Sequence, residues 1–361
     1  MAEQLKNMFN YDSILPFAER IHAVHEPFPV ERFMKAVLDD SWEELELKAR
    51  TRHISEVLHE FLPYDYEEVL RILTPVADHS NGILGWVLTD YVELYGLEDK
   101  DWDRSVEALG YFTQFSSSEF AVRPFIIKDE QRMMEKMYHW SKHDNEHVRR
   151  LASEGCRPAL PWAMALPSFK EDPSPVLPIL ETLKNDPSEY VRRSVANNLN
   201  DISKTHPDLV ASLAKQWLGQ SKEVDWVVKH ACRTLLKKGN RDVLDLFGFH
   251  QGDALVVSNF VLRTSEVVLG EDLIFTFTIE AKEETRLRLE YGVDFMKANG
   301  KKSRKVFQIS ESTMKAGEVR EYEKVHSFKE ITTRKHYTGE HDVTLIVNGE
   351  ERADATFVVT S

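Results

Sequence analysis

The chain has 361 residues, of which 42% are hydrophobic and 29% are charged, and its formal net charge is −14 at pH 7. This length allows two domains with separate hydrophobic cores. The sequence contains no run of about 18 apolar residues that could span a membrane, and its first residues show no export signal. The two cysteines, Cys156 and Cys232, exclude a disulfide framework and a cysteine-rich zinc site. We therefore predict a cytoplasmic protein.

The acidic charge is concentrated at the start of the chain. Residues 1–100 contain 20 acidic and 9 basic side chains, whereas residues 149–250 contain 12 acidic and 15 basic ones. A local basic surface in the second segment could contact nucleic acid in spite of the negative total. Composition alone leaves the kind of partner open.

Residues 1–250 are predicted to be helical, with breaks such as "FLPYD" and "THPD". Three segments of this region resemble one another: "HVRRLASEGCR" from residue 147, "YVRRSVANNLND" from 190 and "WVVKHACRTLLKK" from 226. Intervals of about 40 residues are typical of HEAT-like helix pairs, which stack into a solenoid. We predict an α-helical HEAT-like repeat solenoid over 1–250, with the repeat most evident in its second half.

Each of the three segments is predicted to place polar residues in a column on one helix face, because residues three or four apart are neighbours there. The columns are Arg150, Glu154, Arg157; Arg193, Asn197, Asp201; and Lys229, Arg233, Lys237. Like charges four residues apart destabilise a helix unless an anion compensates, and DNA phosphates would do so. The alternative is that these columns are solvated surface.

The stretch "SEGCRPALPWA", residues 153–163, interrupts the first repeat. Pro158 has no amide hydrogen and disfavours helical geometry at Arg157, so the helix should end there. The chain that follows would then carry Trp162 close to Glu154. An indole beside a carboxylate suits a flat cation. The alternative is that Trp162 packs into a corner between helices.

Residues 254–361 differ in texture from the rest of the chain. Short β-rich runs separated by turn signals, including the Asn348–Gly349 step, indicate seven strands and an immunoglobulin-like β-sandwich. The runs are "ALVVSNFVL", "DLIFTFTIEA", "TRLRLEYGVDF", "RKVFQIS", "VREYEKVHSF", "HDVTLIVN" and "DATFVVT".

Three histidines, His139, His143 and His147, recur at four-residue spacing, and such a pair can bind zinc. Because "KHDNEH" reads as a connection between helices and no third ligand is evident, we predict no metal. Phosphate-loop, Rossmann and nucleophile-elbow motifs are missing from the sequence, which disfavours nucleotide hydrolases and dehydrogenases.

Three stretches resemble the AlkC-type DNA alkylation repair glycosylases. They are "SSSEFAVRPF" (116–125), "SEGCRPALPWA" (153–163) and "SEYVRRSVANNLNDISKTHPDLV" (188–210). The likeness runs through about 1–250, and the sandwich resembles an extra C-terminal domain found in a subset of that family. The resemblance implies a monofunctional enzyme that uses water, without cofactor or metal, to excise cationic 3-methyladenine and 3-methylcytosine from alkylated double-stranded DNA.

The resemblance also implies the site residues. They are Glu119, Glu154, Trp162 and Asp201. Among them we predict that Asp201 and Glu154 form the catalytic pair with Glu119 assisting, and that Trp162 contacts the damaged nucleotide. Arg157 belongs to the same motif and would hold a phosphate. The basic residues near these motifs are predicted to bind the DNA backbone: Arg123, Arg149, Arg150, Arg192, Arg193, Lys204, Lys229, Arg233, Lys237 and Lys238.

A monomer would suffice for this activity, acting on DNA in the bacterial cytoplasm, at the nucleoid. The segment "NGKKSRK" at 299–305 would give the sandwich a second DNA contact. The alternative function is a non-enzymatic HEAT-repeat scaffold that binds a protein partner or a DNA structure. Neutral replacements of Glu154 and Asp201 would leave such a scaffold intact.

Overall fold

A computed structural model of the protein describes residues 5–80, 82–330 and 335–361. Within these ranges the chain forms sixteen α-helices followed by eight β-strands. The helices are α1 Tyr11–Val24, α2 Val30–Val37, α3 Leu47–Phe61, α4 Tyr66–Ala77, α5 Gly85–Tyr95, α6 Trp102–Phe112, α7 Val122–Lys128, α8 Glu130–Trp140, α9 Glu146–Glu154, α10 Pro167–Glu171, α11 Leu177–Leu183, α12 Glu189–Ile202, α13 Pro207–Trp217, α14 Lys222–Ala231, α15 Arg233–Lys237 and α16 Arg241–Leu246.

The strands form two sheets. They are β1 Leu255–Leu262, β2 Glu266–Val268, β3 Asp272–Ala281, β4 Thr285–Met296, β5 Lys302–Met314, β6 Val319–Ser327, β7 Gly339–Val347 and β8 Glu350–Thr360. One sheet has the order β1-β3-β6 and the other β2-β8-β7-β4-β5. All neighbouring strands are antiparallel except β2 and β8, which are parallel. The fold class predicted from the sequence, helical repeats followed by a β-sandwich, is confirmed.

All seven predicted β-rich runs form strands, because their alternation of apolar and polar residues matches the two-residue period of a pleated sheet. In β3 the alternate residues Leu273, Phe275, Phe277 and Ile279 are buried. Phe275 meets Tyr291 of β4 with ring centroids 5.3 Å apart, so side chains of both sheets build one core. The strand β2, which the sequence did not predict, has three residues and is too short for a periodic signal.

The described chain divides into two compact units. The first contains the described residues up to His206 together with Trp217–Ala231, and the second contains Pro207–Gln216 and Cys232–Ser361. Among the described residues, no helix has the length and apolar character needed to cross a membrane.

The three repeat segments lie on α9, α12 and α14, and α12 packs against both of the others. The predicted third column, Lys229–Arg233–Lys237, is wrong as a single helix face. α14 ends at Ala231 and α15 begins at Arg233, so Lys229 lies on α14 and the other two residues lie on α15.

Gly155, which follows the last residue of α9, lies against α7 and α8. A Cβ atom there would be 2.7 Å from Val122 Cγ2 and 3.0 Å from Met137 Cε. Alanine favours a helix over glycine by about 1 kcal/mol, but overpacking a core costs about 1–3 kcal/mol. We expect Gly155→Ala to lower the free energy of unfolding by about 1–2 kcal/mol, measured by urea denaturation.

The control for this prediction is Gly292→Ala in the sandwich. A Cβ at Gly292 would meet the flexible side chain of Arg304 at 3.4 Å, an ordinary contact. Its effect on stability should stay within about 0.5 kcal/mol. Equal stability of Gly155→Ala and the unsubstituted protein would show that α7 and α8 tolerate the extra atom.

Candidate active site

The three predicted carboxylates lie in one chain of ion pairs. Glu119 is in the turn before α7, Glu154 is the last residue of α9, and Asp201 is in the last turn of α12. Arg150 Nη1 is 2.6 Å from Glu119 Oε2, and Arg157 Nη1 donates to Glu154 Oε1 at 2.6 Å. Arg157 Nε donates to Asp201 Oδ2 at 2.8 Å. Arg150 Nη2 is also 3.6 Å from Glu154 Oε1, so two arginines join all three acids.

Polar contacts between α9 and α12 place two of these acids side by side. Ser153 Oγ and Ser194 Oγ are hydrogen-bonded at 2.7 Å, and Asn198 Nδ2 donates to the Ser153 carbonyl at 2.8 Å. All three residues are buried. Because Glu154 follows Ser153 and Asp201 lies one turn after Asn198, this packing brings their carboxylates to the same guanidinium.

The part of the chain of ion pairs that is formed by Glu154, Arg157 and Asp201 is buried. Glu154 and Asp201 are each 5% exposed and Arg157 is 7% exposed. Burial would lower the pKa of Arg157, but the carboxylates of Glu154 and Asp201 outweigh it, and the pKa is raised. Burial of Arg150 is likewise outweighed by Glu154 and Glu119, and its pKa is raised. Both guanidinium groups therefore stay charged, which a carboxylate cluster out of water requires.

An aromatic cleft of about 390 Å³ adjoins this chain of ion pairs. Ser117, which lines the cleft, donates to Glu119 Oε2 at 2.9 Å and accepts from Arg150 Nη1 at 3.0 Å. The guanidinium of Arg150 lies 4.8 Å from the ring centroid of Tyr190, another lining residue. The other rings in the lining are Trp86, Phe115 and His147. The ion pairs thus reach the wall of an open, largely apolar cleft.

The interruption at 153–163 is held from within by Arg123. Its side chain is fully buried. Nη1 donates to the Gly155 and Arg157 carbonyls, both at 2.9 Å, and Nε donates to the Met164 carbonyl at 2.7 Å. Burial lowers the pKa of Arg123 to about 10. The predicted phosphate ligand therefore supports both sides of a loop, and its guanidinium does not reach the surface.

Trp162, at the tip of the same loop, is 64% exposed, which does not fit a buried corner between helices. Its φ angle is +64°, in the left-handed region. A bulky residue held there stores about 1–3 kcal/mol of strain, a cost that persists where the surroundings impose the conformation. The carbonyl oxygen of Trp162 accepts a hydrogen bond from Lys48 Nζ at 2.9 Å.

The first arginine of each "VRR" motif has a structural contact that the sequence did not predict. Arg149 Nη1 donates to the carbonyl oxygens six and five residues upstream, at 2.9 and 2.6 Å. Arg192 Nη1 makes the same pair of contacts at 2.6 and 3.0 Å. Arg149 also pairs with the buried Asp186, Nε to Oδ2, at 2.6 Å. Both arginines thus close the turn that precedes their helix.

The second arginine of each motif stacks on the aromatic residue that opens the next repeat. Arg150 lies over Tyr190, and Arg193 lies over Trp226 with 5.7 Å between the guanidinium carbon and the ring centroid. The sequence contains the signal for this contact, since His147, Tyr190 and Trp226 occupy the same position of the repeat. Because His147 and Tyr190 also line the cleft, that position supplies part of the candidate site.

The remaining predicted DNA ligands lie nearer the surface. Arg193 is exposed and pairs with Glu189, and Lys204 Nζ donates to Asp201 Oδ1 at 2.8 Å while 48% of its side chain is exposed. Lys229 is half-buried on α14. In the second unit, Arg233 is half-buried, and Lys237 and Lys238 are exposed. The described residues contain no group of three or more metal-binding side chains.

Two family models match this chain. One, described as a DNA alkylation repair enzyme, matches residues 99–242, and the other, described as a C-terminal Ig-like domain of YhaZ, matches residues 256–361. The first match contains Glu119, Glu154 and Asp201. The second confirms the predicted immunoglobulin-like character of the sandwich.

Two relatives match over almost the whole chain. The uncharacterized protein YhaZ of Bacillus subtilis strain 168 is 46% identical over 98% of this chain and 99% of its own. The alkylpurine DNA glycosylase AlkC of Pseudomonas fluorescens, solved bound to DNA containing an abasic site analog, is 38% identical with a TM-score of 0.95. That match covers 99% of this chain and 100% of AlkC. The chain belongs to the AlkC-type DNA alkylation repair family, in the subset with a C-terminal immunoglobulin-like domain.

Proposed function

We propose that this protein is a monofunctional DNA glycosylase that removes alkylated bases. It hydrolyses the N-glycosidic bond of cationic N3-methylated bases, 3-methyladenine and 3-methylcytosine, in double-stranded DNA. The observation that carries this proposal is the chain of ion pairs in which Arg150 and Arg157 join Glu119, Glu154 and Asp201 beside an aromatic cleft. Whole-chain similarity to AlkC, solved on DNA with an abasic site analog, supports it.

The chemistry needs little acid catalysis, because methylation has already made the base a cationic leaving group. When the C1′–N bond breaks, its electron pair neutralises the base and leaves an oxocarbenium-like cation on the sugar. A fixed carboxylate beside C1′ stabilises that charge more in the transition state than in the ground state. Water then adds to C1′, and a second carboxylate accepts its proton.

The contacts suggest how the roles are divided. Both guanidinium groups approach Oε1 of Glu154, so we assign its Oε2 to the sugar. Asp201 shares the guanidinium of Arg157 and is assigned to the water. Glu119, which accepts a hydrogen bond from the cleft residue Ser117, assists. Arg157, buried between two acids, positions them and does not hold a phosphate. Trp162 contacts the damaged nucleotide.

The proposed DNA footprint is smaller than the set of basic residues predicted from the sequence. We leave out Arg123, Arg149, Arg150 and Arg192, whose side chains are committed to buried or turn-closing contacts. Lys204 remains, because its exposed ammonium can move from Asp201 to a phosphate and free a carboxylate oxygen. The other proposed ligands are Arg193, Lys229, Arg233, Lys237 and Lys238.

We propose that the sandwich makes a further DNA contact of its own. Two of the cations predicted to contact DNA at 299–305 already have internal partners. Lys302 pairs with Asp342, and Arg304 pairs with Asp294 at 2.8 Å. We further propose that the protein acts as a monomer in the bacterial cytoplasm. Catalysis is assigned to residues 1–250, and the sandwich is assigned to residues 254–361.

The deciding experiment is incubation of the full chain with N-methylated duplex DNA, followed by chromatography of the released bases. We expect 3-methyladenine and 3-methylcytosine to be released in amounts that rise with enzyme concentration, with abasic sites left in the DNA. Release no greater than with heat-inactivated protein would favour the scaffold alternative.

We expect the double substitution Arg193→Gln with Lys229→Gln to weaken binding to undamaged duplex DNA at low salt. Removal of each cation that neutralises a phosphate should reduce the slope of log K against log salt by about 0.9. The slope should therefore fall by about 2, measured by fluorescence anisotropy between 50 and 200 mM salt.

The matched control removes the same charge elsewhere, by Lys35→Gln with Lys142→Gln, both exposed residues of the helical region. Its slope should stay close to that of the unsubstituted protein. Equal slopes for both double variants would exclude the faces of α12 and α14 from the footprint.

A further inference from the structure

A side chain from the acidic N-terminal part of the chain hydrogen-bonds to the loop that carries Trp162. Lys48 is the second residue of α3, and its Nζ donates to the Trp162 carbonyl at 2.9 Å across 114 residues of sequence. The same ammonium lies 4.5 Å from the ring centroid of Phe120. The lysine is thus held by a carbonyl on one side and an aromatic face on the other.

The position of Lys48 is unfavourable for its own helix. The first turn of α3 contains no acidic residue, and a cation near the N-terminus of a helix opposes the helix dipole. The carbonyl of Trp162 and the ring of Phe120 offset this local disadvantage. A residue that breaks a local rule in this way is expected where the contact it makes is needed.

The backbone of Trp162 needs outside support. Three non-glycine residues in the described chain have positive φ angles, and the other two are Asn259 and Asn348. Asparagine tolerates this conformation, whereas tryptophan does so only when the surroundings impose it. Arg123 holds the Gly155 and Met164 carbonyls on either side of the tip. The contact of Lys48 is made at the tip itself.

Lys48 also lines two pockets. A depression of about 530 Å³ is lined by Lys48 and Trp162 together, and a pocket of about 260 Å³ is lined by Lys48, Trp86 and Phe120. The rings of Trp86 and Phe120 are 5.7 Å apart, and Trp86 also lines the aromatic cleft. Lys48 therefore links the Trp162 loop to the wall of the candidate site.

We propose that Lys48 is a positioning residue for base excision, holding Trp162 in its strained conformation so that the indole is ready to meet the damaged nucleotide. The inference rests on the proposed function for the role of Trp162. It assigns the N-terminal region of the chain a role in the reaction, which the catalytic motifs alone do not indicate.

The test compares Lys48→Met, Lys48→Arg and the control Lys35→Met, which removes an exposed lysine from α2. Misplacing a group at a reacting centre can cost about 100-fold in rate, and we expect a loss of about tenfold in kcat on 3-methyladenine DNA for Lys48→Met. Lys48→Arg should recover most of the rate, and Lys35→Met should lose none. Affinity for undamaged DNA should change less than about twofold, because Lys48 holds no phosphate in this proposal.

A double-mutant cycle separates positioning from a direct DNA contact. In a Trp162→Ala background, Lys48→Met should change kcat by less than about twofold, since the indole that Lys48 is proposed to position is already absent. Full additivity of the two losses would overturn the proposal, as would a Lys48→Met variant with unchanged kcat.

A second measurement does not depend on activity. Acrylamide quenching of the free protein, taken as the difference between variants with Trp162 and with Trp162→Phe, reports the environment of this indole. Lys48→Met should change that difference and Lys35→Met should not. An unchanged difference in quenching would overturn the proposed role of Lys48 in holding Trp162, regardless of the activity of the enzyme. If the difference in quenching changes but the protein releases no methylated base, Lys48 still holds Trp162 and the proposed function is wrong.

Discussion

Glu154→Gln and Asp201→Asn are each expected to lower the single-turnover rate of 3-methyladenine release by about 100-fold to 1,000-fold. The amide keeps an oxygen that can accept from Arg157 but carries no charge to stabilise the sugar cation. Affinity for duplex DNA should change less than about threefold, because neither carboxylate contacts a phosphate in the proposed mechanism. Rates would be measured with enzyme in excess, and affinity by anisotropy.

The matched control for this prediction is Asp186→Asn. Asp186 is also buried and also paired with an arginine, Arg149, but it belongs to the turn before α12 and not to the chain of ion pairs. Its replacement should lower stability and leave the rate of base release unchanged. If Asp186→Asn slows release as much as Glu154→Gln does, the loss reflects folding and not chemistry.

Arg157→Met is expected to lower the free energy of unfolding by about 3–5 kcal/mol, because it leaves the buried carboxylates of Glu154 and Asp201 without their shared counter-charge. Removing the exposed Arg193 in the same way should cost less than about 0.5 kcal/mol. Urea denaturation of the two variants measures the difference.

Arg157→Lys keeps the charge but loses the paired geometry of the guanidinium. We expect it to fold and to lose at least about tenfold in the rate of base release, since the two acids are no longer held by one rigid group. Its salt slope for DNA binding should be unchanged. A slope lower by about 1, with normal stability, would show that Arg157 holds a phosphate after all.

The parts of the fold that follow from local periodicity could be predicted from the sequence. The β-rich runs formed strands because alternation is a property of neighbouring residues, and the repeat segments formed helices for the same kind of reason. The strand β2 has three residues, and its pairing with β8 is parallel and distant in sequence, so it left no local pattern.

The motifs also predicted that Glu119, Glu154 and Asp201 belong together, and the structure brings them into one chain of ion pairs. What the sequence could not show is the direction in which each arginine points. Arg149 and Arg150 are adjacent in sequence, yet one closes a turn while the other joins two acids. That choice depends on carbonyls and carboxylates brought close only by the packing of helices.

The support of the 153–163 loop has a practical meaning for protein engineering. The conformation of this segment is specified by carbonyl contacts from Arg123 and Lys48, which lie outside it. Transplanting "SEGCRPALPWA" alone into another helical repeat protein would therefore transfer the sequence of the loop but not its conformation. A successful graft would have to include both donors, each mounted on its own helix.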